Sequence, residues 1–218
     1  MNPVCDGTKN PMKQESLLRT LVTCCVLIAA SLSTHAQQSS TSDGAAAPVK
    51  EPDVIFVPTP QSAVDRMLEM AQIGKGDLLY DLGCGDGRIV VTAAKRYGIK
   101  AVGYDVDPER IKESRENVRT NGVEHLVTIK QEDLFTLDLR EANVVTLYLL
   151  PQLNVRLMPQ LRQLKPGSRI VSHDFDMRGA EPNEVQKVMV AHQDSDPVEH
   201  TLYKWIVPWN EQKDAESN

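Results

Sequence analysis

The chain has 218 residues, of which 41% are hydrophobic, so it can bury the core of one domain of ordinary size. Its formal net charge of −6 and its isoelectric point near 5.4 argue against a broad polyanion-binding surface and leave room only for a local basic patch. No broad nucleic-acid surface is therefore predicted.

Residues 1–36 are predicted to be an export signal that is cleaved from the mature protein. Lys13 and Arg19 precede an apolar run from Leu21 to Leu32, and Thr34-His35-Ala36 fits a small-x-small cleavage pattern. A bilayer span needs about 20 apolar residues, so the shorter run favours an exported, periplasmic protein. The alternative is an uncleaved anchor that leaves the domain in the cytoplasm.

Composition divides the rest of the chain. Met12, immediately before Lys13, is an alternative initiator. Residues 37–52 are polar and small and are predicted to be a flexible linker, residues 53–210 to be the folded domain, and residues 211–218 to be a disordered tail. Cys84 alone remains once the signal is removed, so no intramolecular disulfide is predicted.

The first helix of the domain is predicted at the VPTP turn. Thr59 is placed to cap this helix and Pro60 to start it, and apolar residues follow at helical spacing until Gly74 and Gly76 end it. Packing against the domain is one interpretation of the segment. The other is that the VPTP turn forms part of a lid over a ligand.

The stretch LLYDLGCGDGRIV then predicts a strand ending at Asp81, a glycine turn and a helix. A phosphate-binding P-loop is excluded because Arg88 and Ile89 follow the last glycine of the turn. A dinucleotide fingerprint is disfavoured because Arg88 stands where its third glycine should be. The remaining interpretation is a D-x-G-x-G-x-G corner, where bare backbone and helix amides face a ligand.

The second half of the domain continues the alternation of strand and helix. A second strand ends at Asp105, a helix follows from Asp107 to Asn121, and a third strand leads to Asp133. The apolar strand NVVTLYLLP, a helix opening at Asn154, the strand RIVSHDF and two antiparallel strands, KVMVA and HTLYKWIVP, complete it. This order predicts an α/β fold with a doubly wound, mostly parallel seven-stranded sheet and an antiparallel C-terminal strand pair, whose ligands bind at the carboxyl ends of the strands.

The ordered set of acidic strand ends and the glycine turn resembles the class I, seven-strand S-adenosylmethionine-dependent methyltransferases from about Val57 to Pro208. The resemblance implies a Rossmann-like methyltransferase fold with S-adenosylmethionine as cofactor. Asp105 could accept hydrogen bonds from both ribose hydroxyls. Asp133, or the backbone at Leu134, could accept one from the adenine amino group. Asp81, or the Gly83 region, could hold the ammonium group. The predicted cofactor-binding residues are Thr59, Asp81, Gly83, Cys84, Gly85, Gly87, Asp105, Asp133 and Leu134.

Several longer motifs narrow the resemblance. VPTPQSAVDRML, YDLGCGDGRIV, GYDVDPERI, TLYLLP and SHDFDM look like bacterial relatives of the mitochondrial lysine methyltransferases that act on the adenine nucleotide translocase and on the ATP synthase c-subunit. This implies a protein-lysine N-methyltransferase, with a protein substrate that by analogy lies at a membrane, and we expect a monomer. The alternatives are a methyltransferase for small molecules and an exported nucleoside-binding module without transfer activity.

Candidate catalytic residues lie at the ends of the fourth and fifth strands. Tyr148 stands in TLYLLP, which lacks the Asn/Asp-Pro-Pro-Tyr motif of nucleic-acid and glutamine N-methyltransferases, and His173 and Asp174 follow the fifth strand. Plain core or hydrogen-bonding roles compete for Tyr148 and His173. No metal site is predicted because no ligand-spaced His or Cys accompanies His173 and Asp174, and His200 is expected at the surface.

Overall fold

The computed structural model describes residues 55–192 and 195–211. The predicted signal and linker before residue 55, and the tail after Glu211, lie outside the described residues. Every helix and strand between Gln61 and Ile206 falls inside the segment predicted as the folded domain. Within the described residues, no helix has both the length and the apolar character needed to cross a bilayer.

Seven strands and four α-helices make up the described part of the chain, and a short 3₁₀ helix, Leu134–Thr136, follows the third strand. In chain order the helices and strands are α1 (Gln61–Met70), β1 (Leu78–Leu82), α2 (Arg88–Tyr97), β2 (Lys100–Asp105), α3 (Pro108–Thr120), β3 (Val127–Gln131), β4 (Val144–Leu147), α4 (Pro151–Leu161), β5 (Arg169–His173), β6 (Glu184–His192) and β7 (Ser195–Ile206).

The seven strands form one sheet in the order β3-β2-β1-β4-β5-β7-β6. The first five strands are parallel, and β7 inserts antiparallel between β5 and β6. The predicted fold class and the antiparallel C-terminal pair are confirmed. The strand order reverses beside β1, which pairs with β2 on one side and β4 on the other, so a crevice forms at its carboxyl end.

Two apolar layers cover the two faces of this sheet. Helices α1, α2 and α3 pack on one face, where Leu79 of β1 joins them, and α4 packs on the other face with Tyr80 of β1 and Trp205 of β7. Adjacent residues of β1 point to opposite faces because side chains alternate along a strand. The central strands are therefore apolar on both sides, as the near-continuous hydrophobic run of β4 predicted.

Helix α4 differs from its prediction. It begins at Pro151 rather than at Asn154, which lies inside the helix and is fully buried. The Asn154 amide nitrogen donates to the carbonyl oxygens of Phe175 at 3.2 Å and Asp176 at 3.1 Å. A residue type that favours helix caps was mistaken for a cap, because its true partners lie more than twenty residues away in the chain.

The N-terminus of α1 also differs. Pro60 is the cap residue of α1, and no side chain caps this helix. Thr59 is buried, and its hydroxyl contacts the Nδ1 atom of His173 at 3.3 Å. The start of α3 agrees with its prediction. The Asp107 carboxylate accepts a hydrogen bond from the backbone N–H of Glu109 at 2.8 Å, and Pro108 is the first residue of the helix.

Replacing Gly87 by Ala should destabilise the fold more than replacing Gly98 by Ala. Both glycines have left-handed backbones, with φ of 77° and 63°, so either alanine costs about 1 kcal/mol of strain. At Gly87 a Cβ would also lie 2.9 Å from the Ser114 Cβ of α3, whereas at Gly98 it would meet open space. We expect Gly87→Ala to lower the free energy of unfolding by about 1–3 kcal/mol more than Gly98→Ala, as measured by urea denaturation. Equal losses would contradict close packing of α2 against α3.

Candidate functional site

The glycine turn between β1 and α2 is held against the end of β2. The backbone N–H groups of Gly83 and Cys84 both donate to the Tyr104 carbonyl at 2.9 Å, and the Gly85 N–H donates to the Asp105 carboxylate at 2.9 Å. The ring of Phe56 covers the turn so closely that a Cβ on Gly85 would lie 2.1 Å from its Cε2 atom. Bare backbone is therefore required at Gly85 by an aromatic ring that no sequence motif indicated.

A cavity of ≈ 890 Å³, counting the space open to solvent at its mouth, lies at the carboxyl ends of β1, β2 and β4. Most of the predicted cofactor residues line it, namely Thr59, Asp81, Gly83, Cys84, Asp105, Asp133 and Leu134. Gly85 and Gly87 do not line it, since the ring of Phe56 lies against the first and Ser114 against the second.

The segment before α1 forms one side of the cavity, and the sequence indicated its role only in part. The cavity is lined by Ile55 and Phe56, just before the VPTP turn, and by Val57, the first residue of that turn. The Arg110 guanidinium lies 5.0 Å from the centroid of the Phe56 ring, within the range of a cation–π contact. A lid at the VPTP turn was one of the two interpretations of this segment, and the ring that contacts the glycine turn belongs to the residue just before this motif.

Asp105, the last residue of β2, has its carboxylate fixed by two backbone N–H groups. Oδ2 accepts from Gly85 at 2.9 Å and Oδ1 from Asp107 at 3.0 Å. A carboxylate has about four lone-pair positions, so this group is held in place and still has acceptors to offer to two neighbouring hydroxyls. The position agrees with the predicted role of Asp105 toward a ribose.

Asp81 is almost fully buried next to β4. Its Oδ1 accepts from the Thr146 hydroxyl at 2.7 Å, while Oδ2 has no hydrogen-bond partner among the described residues although it too is buried. Burial raises the pKa of this carboxyl to about 7. A buried acceptor without a partner is costly, and a bound ammonium group would satisfy it, so this part of the site fits the amino-acid end of S-adenosylmethionine.

Asp133 and Leu134 follow β3 at the same edge of the sheet. Asp133 lies two residues beyond the end of β3 rather than at the strand tip, and its Oδ1 accepts from the Phe135 N–H at 3.1 Å as the cap of the 3₁₀ helix. Both residues line the cavity, beside the region where the adenine amino group was predicted to bind.

Cys84 and Asp86 have structural explanations. The Cys84 thiol is buried, and burial raises its pKa, so it stays protonated and is a poor nucleophile. Asp86 is paired with the Arg88 guanidinium, with Oδ2 2.6 Å from Nη2, and Arg88 also donates to the Thr59 carbonyl at 2.8 Å. Arg88 thus ties the VPTP segment to the glycine turn.

The predicted catalytic residues form one group beside the cavity. Tyr148 lines the cavity, and its ring centroid lies 4.1 Å from that of His173 and 5.9 Å from that of Phe175. Burial and the nearby Asp174 charge raise the pKa of the Tyr148 hydroxyl. His173 has no exposed surface, and burial lowers its pKa, so its imidazole is neutral and can act on an acceptor only through a neighbouring group.

His200 joins this group, contrary to its expected position at the surface. Its Nδ1 lies 3.0 Å from the His173 Nε2 atom and 2.8 Å from the Asp174 Oδ2 atom. The pairing of β7 with β5 brings it there. No short-range signal in the sequence could have found this contact, because the two histidines are 27 residues apart.

The site can be set beside known proteins. A family model described as the ANTKMT methyltransferase domain matches residues 81–184. A protein named protein-lysine N-methyltransferase from Saccharolobus islandicus is 46% identical over 158 residues, covering 72% of this chain and 95% of that protein. The human lysine N-methyltransferase of the ATP synthase c-subunit is 30% identical over 131 residues, which are 60% of this chain, and the chain spans about half (55%) of its length.

Among solved structures, one match extends over the whole of the other chain. It is described as an RNA methyltransferase from Salinibacter ruber in complex with S-adenosyl-L-homocysteine. It is 46% identical, covers 74% of this chain and 100% of that one, and superposes with a TM-score of 0.63.

Replacing Asp105 by Ala should weaken binding of S-adenosylhomocysteine by tenfold or more, about 1.4 kcal/mol, because a two-pronged charged acceptor is lost. Asp105→Asn keeps one acceptor oxygen and should lose less. Isothermal titration calorimetry measures both, with Asp138→Ala as control, since Asp138 is exposed and paired with Arg140. Unchanged affinity in Asp105→Ala would contradict the assigned role.

Binding of S-adenosylhomocysteine should strengthen as the pH rises from about 6 to about 8. The Asp81 carboxyl is partly protonated near pH 7 without ligand, and a bound ammonium favours its ionised form, so binding releases a proton and is disfavoured below the raised pKa. Calorimetry in buffers of different ionisation enthalpy measures this proton. Asp81→Asn cannot ionise and should lose both the proton release and the pH dependence assigned to this group. If the variant keeps the wild-type pH profile, Asp81 does not hold the ammonium.

Proposed function

This chain belongs to the ANTKMT methyltransferase family and is an S-adenosylmethionine-dependent methyltransferase, and on that premise we propose that its methyl acceptor is the side-chain amine of a protein lysine. The single observation that carries the proposal is the stacked aromatic pair Tyr148 and Phe175, of which Tyr148 lines the cofactor cavity. Support also comes from the two similar proteins named as lysine methyltransferases.

The aromatic pair suits a lysine side chain. The rings of Tyr148 and Phe175 are stacked with an interplanar angle of 21°, and both residues are partly exposed. Faces of this kind pack against the four-carbon stem of a lysine, and they attract an ammonium group by about 0.5–2 kcal/mol. Tyr148 alone of the two also lines the cofactor cavity, so the exposed edge of the pair, the proposed lysine channel, would lead a lysine stem to the cofactor.

The residues of the site would position the acceptor amine and keep it in a reactive form. Bound S-adenosylmethionine supplies a methyl group on a positively charged sulfur. A lysine amine has a pKa near 10.4 in water and must lose its proton before it can react. As the amine moves past the rings into the cofactor cavity, loss of its hydration disfavours the charged form, and the proton leaves to solvent. Because no covalent intermediate is needed, most of the rate comes from holding the amine in line with the methyl group.

RNA is the competing acceptor, as the description of the Salinibacter ruber protein suggests. The net charge of −6 disfavours it, since phosphate contacts dominate nucleic-acid affinity. The two arginines that line the cavity are also engaged, Arg88 with Asp86 and Arg110 with Glu113 at 2.6 Å each. They would have to exchange these partners to hold a phosphate backbone.

We further propose that the protein acts on its substrate as a monomer and at a membrane, by analogy with the enzymes that methylate the ATP synthase c-subunit. The predicted export signal in residues 1–36 supports a site of action outside the cytoplasm or at the membrane face.

Incubation with S-adenosylmethionine that carries a labelled methyl group should place the label on lysine in protein. Three separate pools serve as acceptors: membrane proteins, soluble proteins and purified RNA. We expect methylated lysine in the membrane-protein pool, identified by mass spectrometry of peptides. Label in RNA, or only in low-mass metabolites, would overturn the proposed acceptor while leaving the methyltransferase activity intact.

The same assay with variants at position 175 tests the aromatic pair. Phe175→Ala should lower kcat/KM for the protein acceptor roughly tenfold, about 1.4 kcal/mol, because one face of the lysine channel is removed. Affinity for S-adenosylhomocysteine should stay unchanged, since Phe175 does not line the cofactor cavity. Phe175→Tyr restores the ring and should restore the rate. Equal loss in both variants would point to a packing role instead.

A further inference from the structure

Three potential ligand atoms converge where β5 ends beside β7. The Nε2 atom of His173 lies 3.0 Å from Nδ1 of His200, and Oδ2 of Asp174 lies 2.8 Å from that Nδ1 and 3.4 Å from the His173 Nε2. The three residues form a cluster in the described part of the chain with mutually close donor atoms. Neither the cofactor cavity nor the proposed lysine channel requires His200.

Hydrogen bonds with neutral imidazoles cannot satisfy all three contacts at once. If both nitrogens carry a proton, the two N–H groups face each other across 3.0 Å. If only His173 Nε2 is protonated, the lone pair of His200 Nδ1 faces the Asp174 carboxylate across 2.8 Å. If only His200 Nδ1 is protonated, its one proton is shared between two acceptors. Each protonation state leaves one contact of the triangle without its own proton.

We propose that His173, Asp174 and His200 bind a divalent transition-metal cation of the zinc type. A central cation satisfies all three atoms together, because each then offers a lone pair. Two imidazoles and one carboxylate are typical ligands for zinc, and three protein ligands leave a position for water. In a tetrahedral site with metal–ligand bonds of about 2.0–2.1 Å, neighbouring ligand atoms are about 3.3 Å apart, so the observed 2.8–3.4 Å requires shifts of only a few tenths of an ångström.

The surroundings hold each ligand in its metal-binding form. Thr59 Oγ1, 3.3 Å from His173 Nδ1, can accept a hydrogen bond from the N–H at that nitrogen, and in this tautomer the lone pair is on Nε2. The side chains of His200 and Asp174 are 14% and 26% exposed, which gives a cation a path from solvent to the buried His173.

Asp174 is held in an uncommon backbone conformation that aims its carboxylate at the histidines. Its φ is 59°, in the left-handed region that residues other than glycine seldom adopt. The Asp174 N–H donates to the Thr201 carbonyl at 2.7 Å, and its Oδ1 accepts from the Thr201 N–H at 2.9 Å. This pair of hydrogen bonds fixes one carboxylate oxygen and leaves the other, Oδ2, for the cluster.

Titration of the metal-free full chain with Zn²⁺ in a calorimeter tests the proposal without reference to methyl transfer. We expect one tight site per chain that His200→Ala and Asp174→Asn each weaken by about 100-fold or more. Thr59→Val, which removes a partner of the ligand His173, should weaken it about tenfold. Substitution with Co²⁺ should give the visible absorption of a four- or five-coordinate site, and His200→Ala should abolish that absorption.

The matched control is His125→Ala, because His125 is exposed after α3 and distant in the chain from the cluster. It should bind Zn²⁺ like the unaltered chain, which also accounts for any background from cysteines and histidines elsewhere. Circular dichroism shows whether each variant is folded. If His200→Ala is not folded, the zinc affinity of the near-isosteric Asp174→Asn decides the test. Zinc binding that is equally tight in Asp174→Asn and in the unaltered chain, or absent from both, would overturn the site.

Discussion

The parallel pairing of β1 with β2 on one side and with β4 on the other determines where this protein can bind a ligand. Because the strand order reverses at β1, the helices that follow its two neighbours cover opposite faces of the sheet. A crevice therefore remains at the carboxyl end of β1, and the side chains at the ends of these strands face it. Asp81, Asp105 and Tyr148 meet there although none is close to another in the chain.

The crevice contains one carboxylate that is fixed by backbone hydrogen bonds and one carboxyl whose hydrogen-bonding capacity is only partly used. The Asp105 carboxylate is fixed by the N–H groups of Gly85 and Asp107, so it presents its remaining lone pairs in a defined direction. The Asp81 carboxyl, in contrast, is buried with one oxygen lacking a partner among the described residues. The first arrangement lowers the entropic cost of binding, and the second gives a cationic group a gain in free energy that water cannot provide.

Tyr148 borders two neighbouring regions of the site. Tyr148 lines the cofactor cavity, and its ring also packs against His173, which belongs to the cluster with Asp174 and His200. The insertion of β7 between β5 and β6 creates the second region, since it brings His200 opposite the end of β5. The same antiparallel insertion that completes the sheet thus adds polar groups beside Tyr148.

The sequence by itself determined the strand and helix alternation, the glycine turn and the acidic residues after the strands, because these signals are local periodicities and spacings. It placed Asn154 at a helix start, Thr59 in a cap and His200 at the surface, and the structure differs at each of these positions. Only the tertiary structure decided that Phe56 covers Gly85, that Asn154 binds the loop after β5, and that His200 meets His173. The physical reason is that burial and hydrogen-bond partners are set by residues far away in the chain, which become neighbours only when the strands assemble into the sheet.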